Sequence, residues 1–204
     1  MHRYDPTTAL IVVDLQNDFA DPDGDLPVGG GDSIVGTVND EVAIAVDAGA
    51  MVVATQDWHP KSTPHFARDG GIWPVHCVAD TWGAEFHPRL VLPADTTVVR
   101  KGTNGEDGYS GFTMRDPVTG EEIPTQLDEL LRERGVRRVM VVGLATDYCV
   151  KATALDAVRL GYETSLMADA VAAVELAPGD GTRALHEMRE AGVQLMWTSG
   201  EGNP

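Results

Sequence analysis

The chain has 204 residues, 43% hydrophobic and 23% charged, the profile of a globular protein with one substantial core. Its 15 basic and 32 acidic residues leave a net charge of −17, a field that repels phosphate backbones and anionic membrane surfaces. No apolar run approaches the roughly 18 residues of a membrane span, and two cysteines, Cys77 and Cys149, are too few for a disulfide framework. The expectation is a cytoplasmic protein that binds neither nucleic acid nor membrane and is free to form a homo-oligomer.

In chain order, short apolar runs alternate with segments of helical periodicity. Ala9–Val13 predicts a strand, Ser33–Ala48 a helix and Met51–Thr55 a second strand. Residues 57–93 break the rhythm, with five prolines, four of the six histidines and three of the four tryptophans but no helical pattern. A loop this long within a compact domain is functional or disordered, and its tryptophans and histidines argue against disorder. Thr96–Arg100 predicts a third strand. A second irregular stretch, 102–124, is rich in Gly, Asp and Glu and reads as a lid or an interface hairpin. Helices are then predicted over Gln126–Arg134, Asp147–Leu160 and Pro178–Ala191, alternating with strands at Val139–Val142, Thr164–Met167 and Val193–Trp197. The four helices end near Gly49, Gly135, Gly161 and Gly192, each placed to act as a C-cap. Continuous rather than alternating apolarity marks strands covered on both faces, as in a parallel sheet. The prediction is one α/β domain spanning 1–204, a three-layer sandwich whose six-stranded, mostly parallel sheet is flanked by helices.

In open α/β sheets the active site lies beyond the carboxyl ends of the strands, so polar residues there are the candidates. Cys149 follows VMVVGLATDY and opens a helical run, where the helix dipole and unpaired N–H groups favour a thiolate. The competing interpretation is a small buried core residue. Asp14 closes LIVVD, where desolvation raises a carboxyl pKa and suits it to shuttle a proton; a turn or capping aspartate is the alternative. Lys101 is one of three lysines in the chain and follows TTVVR at a strand end, so it is either a charge stabiliser or a solvated strand-end cation. Asp57 and His59, two residues apart on extended chain, share a side, and His65 and His76 follow in the same loop. A carboxylate with imidazoles suits zinc, iron or manganese, against an alternative of surface loop histidines. Cys77, beside His76, reads as structural or close to that metal.

Taken in order, ALIVVDLQNDF, TQDWHP, WPVHC, EFHP, KGTN…YSGF and GLATDYCV resemble the nicotinamidases of the isochorismatase-like cysteine hydrolases. The resemblance runs from Ala9 to about Val174. It implies hydrolysis of nicotinamide to nicotinate and ammonia, in NAD salvage, by a cysteine nucleophile through a thioester. It implies a catalytic set at Asp14, Lys101 and Cys149, one divalent metal (zinc foremost) on Asp57, His59 and His76, and His65 as a fourth ligand used by some members. It implies pocket walls at Phe19, Trp73, Leu144 and Tyr109, and an oxyanion hole of the Ala145 and Cys149 N–H groups beside a cis Leu144–Ala145 peptide. His87, in the EFHP block, matches a position that is not a ligand. Two features depart from the pattern: Tyr148 stands where some members carry histidine, and the loop before Tyr109 varies in length.

Three rival functions remain in view. A sibling amidase would act on another small carboxamide or carbamoyl compound. A vinyl-ether hydrolase of the isochorismatase type is disfavoured by the loop histidines and Cys149. A non-enzymatic metal-binding domain on a retired hydrolase fold requires loss of Asp14, Lys101 or Cys149, and all three are present.

Overall fold

A computed structural model describes residues 3–199. Eight strands and five α-helices follow in the order β1 (Thr8–Val13), α1 (Asn17–Ala20), α2 (Gly31–Asp47), β2 (Met51–Asp57), β3 (Thr97–Lys101), β4 (Thr113–Arg115), β5 (Glu122–Pro124), α3 (Leu127–Glu133), β6 (Arg138–Leu144), α4 (Lys151–Arg159), β7 (Glu163–Ala172), α5 (Asp180–Glu190) and β8 (Gln194–Met196). Six of the strands form one sheet in the order β3-β2-β1-β6-β7-β8. Every neighbouring pair in it is parallel.

Strand periodicity explains the layers. Along β1, Leu10 and Val12 point into a core with Ile34, Val35, Val38 and Val42 of α2. Ala9, Ile11 and Val13 point the other way, onto Leu127 and Leu131 of α3, Ala154 and Ala157 of α4 and Met188 of α5. All six residues of β1 are buried, which is why its sequence shows no polar alternation. Each fully buried Val, Leu or Ile contributes ~1.5–3 kcal/mol, so the two cores clamp the central strands from both faces. The predicted helix C-caps have the required backbone, as at Gly161 with φ 92°.

Several elements differ from the sequence-based expectation, among them α1 (Asn17–Ala20), where no element is predicted. Lys101 is the last residue of β3 rather than the residue after it, because pairing with β2 continues through Asp57↔Lys101. The helix predicted from Asp147 begins as a π-helical turn, Thr146–Val150, before α4 takes over. The strand predicted over Thr164–Met167 runs on to Ala172, across an irregularity in its pairing with β6. Between Val141↔Leu166 and Gly143↔Val171, β6 advances two residues and β7 five. The stretch 57–93 contains only two 3₁₀ turns, and 102–124 carries the small antiparallel β4–β5 hairpin.

The sheet order reverses direction between β1 and β6, and the crevice at their carboxyl ends is where ligands bind in this architecture. Asp14 and Leu144 stand at those two ends. No helix among the described residues is long and apolar enough to cross a membrane.

Gly143, beside that crevice, has φ 109°, and a Cβ there would collide with the Val13 carbonyl oxygen. Gly143→Ala is therefore expected to cost about 3 kcal/mol, a fall of roughly 6–12 °C in Tm by calorimetry. An unchanged Tm would show that β1 and β6 can separate without loss.

Candidate active site

The carboxyl ends of β1, β2 and β3 bring Asp14, Asp57 and Lys101 together, and the π-helical turn after β6 adds Cys149. The Lys101 Nζ donates to Asp14 Oδ2 at 2.7 Å and to the Tyr109 carbonyl at 3.2 Å, and lies 3.6 Å from Cys149 Sγ. It also forms an ion pair with Asp57 Oδ1 at 2.7 Å, off the hydrogen-bonding direction. Asp14, Asp57 and Lys101 are all at most 5% exposed. Asp14 takes φ 44°, a left-handed conformation uncommon outside glycine, and Thr55 holds it there. The Thr55 hydroxyl donates to Asp14 Oδ1 at 2.6 Å while accepting the Asp14 N–H at 3.2 Å.

Burial and charge set the protonation states. Burial raises the Asp14 carboxyl above its ordinary value even though Lys101 pulls it down. For Asp57 burial is outweighed by Lys101 and His59, which hold the carboxyl well below its ordinary value. The Lys101 ammonium is opposed by burial but stabilised by Asp14 and Asp57, and its pKa stands well above that of a free lysine. The Cys149 thiol goes the other way from the sequence-based expectation. Burial, reinforced by Asp14 and Asp57 against Lys101, pushes it well above the ordinary thiol value. The helix dipole is a fractional charge, whereas two carboxylates and the loss of water act directly on the sulfur. The resting cysteine is a thiol, so a base beside it is a requirement of any attack by sulfur.

A second cluster adjoins the first. His59, His65 and His76 offer ring nitrogens that all lie within 4.8 Å of one another, and all three are buried. Neither ring nitrogen of His59 has a hydrogen-bond partner, an arrangement that costs free energy unless something else is bound there. Burial lowers the His76 pKa to about 4, keeping the ring neutral and its lone pair free at physiological pH. Asp57 links the clusters, with Oδ1 on Lys101 and Oδ2 3.8 Å from His59 Nε2. Imidazoles converging beside a carboxylate form a donor set that fits a divalent metal ion.

Both clusters line one cavity, Asp57 and Cys149 from the first and His65 and His76 from the second. The pocket-wall residues Phe19, Trp73, Tyr109 and Leu144 all line it, together with Ala145, Asp57, His65, His76 and Cys149. The Leu144–Ala145 peptide is cis. Trp73 Nε1 donates to the Tyr109 hydroxyl at 3.0 Å, and Tyr148 packs edge-on against both rings. His87 lies elsewhere, 3.3 Å from Asp32. Cys77 is fully buried outside the cavity lining, its N–H bound by Asp18 Oδ2 at 2.6 Å.

Sequence reasoning missed several contributors. Leu26, Val28 and Val174 line the cavity, but no chemistry marks a lone apolar residue as a wall; Tyr148, which departs from the family pattern, lines it as well. Thr55 and Gln16 were also passed over. Gln16 donates to the Asp57 and Ala84 carbonyls at 2.7 and 2.9 Å and accepts the Asp57 N–H at 2.8 Å, so it sets the position of Asp57. Both residues lie within two positions of an aspartate already singled out, which was the available signal.

This fold and constellation define a class: a three-layer α/β domain on an all-parallel six-stranded sheet, with a buried Asp-Lys-Cys set beside a three-histidine cluster. The chain belongs to the isochorismatase family, whose Isochorismatase domain model matches residues 8–199. It is 39% identical to the nicotinamidase of Escherichia coli over 93% of this chain and 94% of that protein. The crystal structure of the pyrazinamidase of Pyrococcus horikoshii in complex with zinc is 44% identical, with a TM-score of 0.84 over 94% of this chain and 99% of that one. PnC1 from L. infantum, in complex with nicotinate, is 38% identical, with a TM-score of 0.84 over 96% and 94% of the two chains.

With both thiols raised in pKa but only Cys149 on the cavity, iodoacetamide is expected to modify Cys149 and spare Cys77 in the native protein. Because only the thiolate reacts, the rate in metal-free protein should be low at neutral pH and still climbing above pH ~9. Peptide mass spectrometry against pH measures this. A rate that levels off below neutrality would mean a depressed thiol and a different charge balance.

Proposed function

We propose that this chain, acting as one hydrolase domain, hydrolyses nicotinamide to nicotinate and ammonia through a thioester on Cys149. One observation carries the reading. A thiol touching a lysine–carboxylate pair sits on the wall of a cavity that also presents a three-histidine cluster and aromatic side chains. The similarity to nicotinamidases and to a nicotinate complex supports the choice of amide.

The chemistry follows from the charge balance. With Lys101 and Asp57 ionised, the Asp14–Cys149 pair shares one proton, and it rests on sulfur. As the carboxamide carbon approaches, Asp14 accepts that proton and the sulfur lone pair forms a C–S bond, moving the carbonyl electrons onto oxygen. We assign the N–H groups of Ala145 and Cys149 to that oxyanion, since both residues line the cavity. Collapse breaks the C–N bond, and Asp14 returns its proton to the departing nitrogen, releasing ammonia. Water then adds to the thioester with Asp14 taking its proton, the C–S bond breaks, and the thiol is restored as nicotinate leaves. Lys101 does not exchange its proton; its fixed positive charge keeps Asp14 able to ionise in a site without water.

Asp57, His59, His65 and His76 would hold a divalent ion, for which we propose zinc, given the zinc-bound neighbour. Bound there, a divalent ion would supply a Lewis-acid anchor for the ring nitrogen, while the aromatic walls hold the ring. Phe19, Trp73, Tyr109 and Leu144 supply the apolar walls that exclude water. The reduced cysteines and acidic surface are consistent with a cytoplasmic site of action.

Two measurements test this. Cys149→Ala and Asp14→Asn should each lower ammonia release from nicotinamide by on the order of 10⁴-fold or more, with metal content unchanged. Turnover near the wild-type rate in either variant would remove that residue from the mechanism. Benzamide keeps the carboxamide but lacks the ring nitrogen, so with metal loaded its kcat/KM should fall at least ~10²-fold below that of nicotinamide, the value of correct orientation. Equal rates would rule out anchoring through the ring nitrogen.

A further inference from the structure

We propose that Asp107 is the positioning residue that commits His65 to the metal site, so that the loop running from Lys101 to Tyr109 also controls how tightly the ion is held. The proposal rests on the metal reading above and adds a residue from outside the donor set.

The geometry is that of a carboxylate–imidazole pair set behind a ligand. His65 Nδ1 lies 2.7 Å from Asp107 Oδ1. An ionised carboxylate only accepts hydrogen bonds, so the His65 Nδ1 must carry the proton, which leaves Nε2 as the atom that faces the other histidines as a donor. His76 is arranged the same way by a weaker acceptor, with Nδ1 2.8 Å from the Pro74 carbonyl. A charged acceptor makes the stronger hydrogen bond and the more basic imidazole.

Asp107 is itself held before it meets the ring. Its main chain exchanges two hydrogen bonds with Arg115, at 2.8 and 2.6 Å. Its Oδ1 also accepts the Gly108 N–H at 2.8 Å. The loop touches the histidines at other points. Thr63 Oγ1 donates to the Gly105 carbonyl at 3.4 Å, and a Cβ on Gly102 would lie 2.6 Å from His59 Nδ1. Tyr109, two residues beyond Asp107, gives its carbonyl to Lys101 and its hydroxyl to Trp73. One backbone segment therefore presents a partner to His65, to the catalytic lysine and to the pocket wall.

The test is zinc affinity of chelator-stripped protein, read by competition with a chromophoric chelator, for wild type, Asp107→Ala, Asp107→Asn, His65→Ala and the His65→Ala/Asp107→Ala double variant. Loss of a carboxylate behind a metal-bound histidine weakens binding roughly 10–100-fold, and that is the expected result for Asp107→Ala. Asp107→Asn keeps an acceptor oxygen without the charge and should fall between. In the double variant the Asp107 change should add nothing to the loss from His65→Ala, because Asp107 acts through that ring. The proposal is overturned by wild-type affinity in Asp107→Ala, by unchanged affinity in His65→Ala, or by additive losses. Should metal-free Asp107→Ala fail to fold by thermal unfolding, the near-isosteric Asp107→Asn carries the same comparison. Absence of zinc binding by wild type would instead defeat the metal reading itself, a result distinct from tight binding that is indifferent to Asp107.

Discussion

Everything at the active end of this molecule depends on one ammonium group buried between two carboxylates. Lys101 is 1% exposed, and its Nζ lies 2.7 Å from both Asp14 and Asp57. Taking such charges out of water costs several kcal/mol per ion, and only close mutual contact with further hydrogen bonds returns it. The return comes here from three parallel strand ends that deliver the three groups to one point. Two buried carboxylates without the lysine would be untenable as a pair of charges, and one would take up a proton. The lysine thus keeps Asp57 ionised toward the histidines.

Asp57 gives the site its two-part character. One oxygen belongs to the charge cluster and the other faces His59, so the charge cluster and the histidine cluster share a carboxylate. Its placement is reinforced from behind. Gln16 engages both the N–H and the carbonyl of Asp57 and reaches the Ala84 carbonyl, tying the β1 end and the 57–93 loop to the end of β2. Asp18 does similar work one turn on, accepting the N–H groups of Cys77 and Asp25 and so joining the segment after His76 to the stretch that supplies Leu26 and Val28. Long loops without regular structure can be precise when buried polar side chains satisfy their backbone in this way.

The raised Cys149 thiol fits this arrangement better than a preformed thiolate would. A thiolate, Asp14 and Asp57 together against Lys101 would leave two uncompensated negative charges in a dry site. A shared proton leaves one, and the negative charge on sulfur is needed only while carbon is within bonding distance. Burial raises the basicity of Asp14, which favours its role as the acceptor of a proton within this dry site.

The layers of the fold were legible in the residue order because burial on both faces leaves continuous apolar runs in β1, β2 and β6, and because glycines punctuate the helix ends. So were Asp14, Lys101 and Cys149, since a lone polar residue that closes an apolar run has few purposes. The same holds for the histidines of 57–93, crowded into one stretch of a histidine-poor chain. Other features had no local signature. The π-helical turn at Cys149 and the length of β7 are set by how β6 and β7 slip past each other, a property of the pair and not of either segment. The direction of the thiol shift depends on carboxylates 135 and 92 positions away in sequence (149 − 14 and 149 − 57) that fall within 4.8 Å in space. Thr55, Gln16 and Asp107 act through single hydrogen bonds to residues on other strands and loops. The order of residues by itself determined which side chains were available and which strands would be buried. Only the tertiary structure decided their protonation and pairing, because electrostatic and hydrogen-bond energies depend on distance and exclusion of water, and neither is a property of a residue's neighbours along the chain.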